Sequence, residues 1–143
     1  MKRILVIEGD ALARDFTEAL LRGEGYAVDA CADGPTGLRM YRERWYDLVV
    51  LDVFLPGLAG FDALLGIGPD RTGTPVIVLS GGRATTMAGR LHLAVHLGAA
   101  RGFPRIYETG EFLAAVRDLA GEGSAAGGES ARGAGTASAE GGA

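Results

Sequence analysis

Short apolar runs and segments of helical periodicity take turns along this chain. Runs at 3–8, 26–31, 47–52, 75–80 and 100–103 have the length of strands, the last being the weakest. Between them lie segments whose apolar residues recur three or four apart, and this alternation marks a doubly wound parallel α/β sheet. Leu48 to Leu51 has no polar face, the pattern of a central strand covered on both sides. A first helix is predicted at 11–22, with Leu12, Phe16, Ala19 and Leu20 as its inward stripe, Asp10 as N-cap and Gly23 as the left-handed residue that closes it. A second, at 36–44, starts from the turn Asp33-Gly34-Pro35, and a short third follows at 61–65. The fourth, at 84–97, is ambiguous because Leu91 to Leu97 also alternates with period two; its length favours a helix that presents Leu93 and Leu97 as a second apolar strip. The last, at 110–119, spaces Phe112, Leu113, Val116 and Leu119 helically.

Past Gly121 the residues are Gly, Ala, Ser, Thr, Glu and a single Arg, too polar and small for a core. The expected organisation is one domain at 1–121 and a disordered Gly/Ala/Ser-rich tail at 122–143, not an output domain. A length of 143 residues with 48% hydrophobic content suits a single packed core. The net charge of −4 and the lack of a Lys/Arg cluster argue against direct DNA binding. Cys31 is the sole cysteine, so no internal disulfide forms; a cytoplasmic location fits, with Cys31 read as a small buried apolar residue. Glu8 and Asp10 cut the N-terminal apolar run far short of a secretory signal, and no segment is long enough to span a bilayer.

Asp52 ends the third strand and is followed by Val53-Phe54-Leu55 and a Pro56-Gly57 turn. In open α/β sheets ligands bind outside the carboxyl ends of the strands, so an acid there is placed for chemistry more than for packing. The stretch from Leu48 to Gly60 resembles the phosphoacceptor motif of bacterial response-regulator receiver domains, and the likeness extends over most of 1–120. The resemblance implies a flavodoxin-like three-layer α/β sandwich with strand order 2-1-3-4-5, a phosphoryl group accepted on Asp52, and Mg²⁺ beside it.

The same resemblance assigns the other site residues. Glu8 matches the first of an acidic pair that holds magnesium, while Gly9 stands where the second acid belongs. Mg²⁺ takes about six oxygens in near-octahedral array, so the missing carboxylate implies weak metal binding. Asp10 is open to two readings, a compensating ligand or the helix N-cap. The backbone carbonyl of Phe54 matches a further metal ligand. Ser80 matches a hydroxyl that reaches the phosphoryl oxygens, though its residue type also suits a strand-end turn with Gly81 and Gly82. Arg105 stands where the family has lysine, a swap that is not conservative. Ile106 replaces a proline, and Gly102 falls where the family places the aromatic residue of its switch, with Phe103 expected on the opposite face of the sheet.

Other candidates are weaker. His92 and His96 share a helix face without a third ligand, Gly66-Ile67-Gly68-Pro69 lacks the context of a dinucleotide loop, and Trp45 and Tyr46 read as packing residues. The expectation is a non-enzymatic, single-domain response regulator in a two-component phosphorelay. Its donor is a histidine kinase or phosphotransfer protein, and it signals through an unidentified protein partner. The alternative is a degenerate receiver that acts without phosphate as an interaction or dimerisation module, with Leu93 and Leu97 of the fourth helix as the homodimer contact. A small phosphate-ligand enzyme on the same topology is a third reading, resting on the strand-end acids and Ser80-Gly81-Gly82.

Overall fold

A computed structural model describes residues 1–52, 62–63, 66–67, 74–80, 99–104 and 108–124. The apolar runs form five parallel strands: β1 (Arg3–Ile7), β2 (Ala27–Cys31), β3 (Leu48–Asp52), β4 (Val76–Ser80) and β5 (Arg101–Pro104). They pair in the order β2-β1-β3-β4-β5. Three helices are described along their length: α1 (Ala11–Gly23), α2 (Gly34–Glu43) and α3 (Thr109–Ala120). Residues 62–63 and 66–67 are also helical, within or next to the third predicted helix. The fourth predicted helix, with His92, Leu93, His96 and Leu97, lies outside the described residues.

Alternation of side chains along each strand divides the core into two layers. Leu5, Ile7, Val49, Leu51, Val76 and Val78 point to one face, where they meet Tyr41 of α2 together with Ala63 and Ile67. Ile4, Val6, Leu48, Val50, Ile77, Leu79 and Phe103 point to the other, against Leu21 of α1 and Phe112, Ala115, Val116 and Ala120 of α3. The result is a three-layer sandwich with α2 on one side and α1 and α3 on the other. All five residues of β3 are buried, as its unbroken apolar run requires. Each fully buried Leu, Ile or Val contributes about 1.5–3 kcal/mol.

The inward stripe of α1 is rotated from the expected one. Leu12 and Phe16 are 82% and 56% exposed and Ala19 is exposed, whereas Thr17 and Leu21 are buried and Leu20 packs at the core margin. The helix carries apolar residues on two faces, and the polar Thr17 disguises the one that faces the sheet. Gly23 does not take the left-handed conformation either. It is the last helical residue, and the positive φ of 91° falls on Gly25, where the chain turns into β2. Arg22 then reaches over β2 and donates from Nη2 to the Val28 carbonyl at 3.0 Å.

At the α2–β3 junction Tyr46 is buried, but Trp45 is 57% exposed, so only one of this aromatic pair is a core residue. Tyr46 points inward and bonds Asp29 of β2 through its hydroxyl. Cys31 is a free, buried thiol, and burial pushes its pKa up. Past α3, residues 121–124 return to the turn between α1 and β2, where Ser124 N donates to the Gly25 carbonyl at 2.9 Å.

Candidate functional site

Strand order reverses direction between β1 and β3, so the crevice beyond their carboxyl ends is the topological switch point of the sheet. Two acids stand there. Asp52 is the final residue of β3 and is 3% exposed; Glu8 directly follows β1 and is 1% exposed. Ile7 is paired with Leu51, so one step further along the two strands Glu8 and Asp52 come level. Adjacent strands run about 4.8 Å apart. The register therefore brings two buried carboxyl groups to one place because two apolar runs, each just long enough to cross the core, end on an acid.

Glu8 is held from three directions. Its N–H donates to the Cys31 carbonyl at 3.0 Å, its own carbonyl accepts from Arg14 Nη1 at 2.9 Å, and its Oε2 accepts from the Asp10 N–H at 3.0 Å. The first bond continues the β1–β2 ladder past its last strand residue, the second ties the strand end to the Arg14 side chain of α1, and the third aims the Glu8 side chain. Arg14 was not among the residues singled out from sequence. The available signal was an arginine one turn into the helix that follows β1, able to reach back to the strand end.

Asp10 accepts from Ala13 N–H at 2.8 Å and has extended φ and ψ of −84° and 124°. It is the N-cap of α1, the second of the two roles open to it. Ser80 ends β4, paired with Pro104 at the end of β5, and Asp52 pairs with Leu79 beside it. The strand end that carries Ser80 thus adjoins the strand end that carries Asp52. Phe54 and Arg105 lie outside the described residues.

The donor set suits a hard cation. Two carboxylates on neighbouring strand ends supply oxygen ligands and concentrate negative charge, which a divalent ion offsets. Gly9 adds no side chain, and among the described residues no group of three or more His, Cys, Asp or Glu is arranged to hold a metal. Glu8 and Asp52 fit Mg²⁺ as partial ligands, with water to complete its shell.

On β5, Gly102 pairs with Val78, a residue of the α2-side core, while Phe103 is buried on the other side and meets the Phe112 ring edge-on at 5.9 Å. Strand alternation accounts for this split, as the sequence led one to expect. Arg101 covers the outer side of Phe103, its guanidinium carbon 5.0 Å from the ring centre.

Comparison with known proteins gives one consistent picture. A family model described as "Response regulator receiver domain" matches residues 4–116. "DNA-binding response regulator MtrA" of Mycobacterium leprae is 34% identical over 116 residues, covering 81% of this chain and 50% of that protein. "Transcriptional regulatory protein DltR" of Streptococcus agalactiae is 33% identical over 115 residues, 80% of this chain and 50% of its own length. The chain thus spans about half the length of the curated relatives it matches. Among solved structures, a response regulator receiver domain from Clostridium thermocellum superposes with a TM-score of 0.75 at 25% identity, covering 83% of this chain and 94% of that one. The receiver domain of sensor histidine kinase PA1611 from Pseudomonas aeruginosa, with a magnesium ion coordinated in its active-site cleft, gives 0.72 at 25% identity, covering 85% and 98%.

Proposed function

This chain belongs to the response regulator receiver domain family of two-component signalling, and on that premise we propose that it is a phosphoryl-accepting switch in which Asp52 takes the phosphoryl group. The observation that carries this reading is the burial of Asp52 at the carboxyl end of the central strand β3, level with Glu8 at the switch point. A carboxylate oxygen of Asp52 attacks phosphorus, the phosphorus–nitrogen bond of a donor phosphohistidine breaks, and the released imidazole keeps the electron pair and takes up a proton. Glu8, Asp52 and the Phe54 carbonyl would hold Mg²⁺, which when bound would supply the positive charge that phosphoryl oxygens require. Glu8 is kept in place for this by the Asp10 N–H. Ser80 and Arg105 contact the phosphoryl oxygens, and Gly9 makes the metal site weak. The donor is a histidine kinase or phosphotransfer protein, and the phosphorylated form signals through a protein partner. The DNA binding named for the relatives is not carried over to the receiver segment.

The second reading, a receiver that acts without phosphate as an interaction module, is favoured by β5. With Gly102 on the α2 side and Phe103 locked against Phe112, the strand offers no aromatic side chain to follow the state of the site at that position. Intact mass after incubation with acetyl phosphate and Mg²⁺ separates the two. A magnesium-dependent phosphate adduct that Asp52→Asn abolishes supports the switch; no adduct at millimolar Mg²⁺ overturns it and leaves the interaction module.

A further inference from the structure

We propose that residues 121–124 are a strap that pins the C-terminal end of α3 to the α1–β2 turn, and so act as a conformational restraint on α3. The strap is fastened at two points, and an ion pair joins α3 itself to the same turn. Tyr26 donates from its hydroxyl to the Gly121 carbonyl at 2.5 Å, Ser124 N donates to the Gly25 carbonyl at 2.9 Å, and Arg117 Nη1 of α3 lies 3.8 Å from Glu24 Oε1. Where the strap crosses the turn there is no room for a side chain on Gly25 or Gly123. A Cβ on Gly25 would overlap the Ser124 backbone, and a Cβ on Gly123 would overlap the Glu24 carbonyl, so main chain lies against main chain with glycine on both sides. Gly25 also needs its positive φ of 91°, which other residues adopt at a cost. The positive φ belongs to the closure of α1, where Gly25 N donates to the Arg22 carbonyl and Tyr26 N to the Leu21 carbonyl; the lack of room for a Cβ comes from the strap, and a tail that merely left the domain would not impose it.

The position of these contacts gives them their effect. Phe112, in the first half of α3, is held against Phe103 of β5. The strap holds the other end of the helix against the turn that closes α1. A displacement of α3 at its β5 end is therefore resisted from a corner of the domain remote from Asp52, because the α1–β2 turn lies at the amino ends of the parallel strands and Asp52 at their carboxyl ends. The restraint does not depend on phosphorylation of Asp52.

The test is amide hydrogen exchange on the full chain, with Gly123→Ala, Tyr26→Phe and the double variant. In the unsubstituted protein the Ser124 amide exchanges at least about tenfold more slowly than in a free peptide. Each variant removes that protection and speeds exchange in the last turn of α3 by about tenfold, while amides of β1 and β3 keep their rates. The double variant is no faster than the singles, since both act through one strap. Free-peptide exchange at Ser124 in the unsubstituted protein overturns the proposal, as does additive loss in the double variant or equal acceleration throughout the sheet.

Discussion

The Tyr46 hydroxyl donates a 2.7 Å hydrogen bond to Asp29 Oδ2, tying the α2–β3 junction to the edge strand β2. Asp29 also receives Arg3 Nη1 at 3.3 Å and faces Arg44 Nε at 3.9 Å. Its side chain keeps about a quarter of its exposure, so Tyr46 is the partner that joins it to the interior. Tyr46→Phe removes that donor without opening a cavity. It should cost about 1.5 kcal/mol, the range for a hydrogen bond to a charged group, seen as a lower urea midpoint at unchanged slope.

Alkaline stability follows from the tyrosines. Burial pushes the Tyr26 hydroxyl up from 10.0 to about 12, and burial with the Asp29 contact raises Tyr46 as well. A raised folded-state value means that the native state keeps its proton after the unfolded chain has lost it. The contribution is thus whole below pH 10 and is lost as pH rises towards 12, at about 1.4 kcal/mol per pH unit for each group. Urea titrations from pH 9 to 12 should show this fall, and Tyr26→Phe should flatten it by one proton.

The rotated face of α1 predicts opposite outcomes for two leucines in one helix. Leu21 is fully buried, and Leu21→Ala should cost about 2–5 kcal/mol. Leu12→Ala at an 82% exposed position should stay within about 0.5 kcal/mol. Chemical denaturation of both variants checks the assignment, and a large loss at Leu12 would contradict it.

Asp10 tests which of its two roles operates. As the N-cap bonded to Ala13 N–H, Asp10→Ala should cost about 1 kcal/mol of stability. Magnesium or manganese titration of the same variant should give the affinity of the unsubstituted protein, whereas Glu8→Gln should weaken it.

Strands and helix types were legible where burial alone decides them. Leu48 to Leu51 can only be a central strand, and the ends of β1 and β3 fall on Glu8 and Asp52 because the apolar runs stop there. Features that depend on which of two similar residues wins were not legible. Leu12 and Leu21 are equally apolar, and the face is settled by how α1 docks on the sheet. Trp45 and Tyr46 are neighbours, and the hydroxyl that finds Asp29 settles which one is buried. Glu122 to Ser124 reads as tail by composition, since a contact between two main chains leaves no trace in hydropathy. At the site, the position of Arg14 one turn into α1 was a faint signal for a related reason: it recognises a carbonyl, which every residue has.

The bond from Arg22 to Val28 bears on how the domain behaves towards its own copies. Ala27 N donates to Lys2 O, and Cys31 O accepts from Glu8 N, so the odd residues of β2 face β1 and the main-chain groups of Val28 and Ala30 turn to the open border. A border of that kind invites a foreign strand to zip onto it. Here the guanidinium of Arg22 already occupies one of its carbonyls and places a cation across the approach. An incoming chain finds little left to template on, and at high concentration the domain is guarded against strand-to-strand aggregation by a side chain whose helix also forms part of the core.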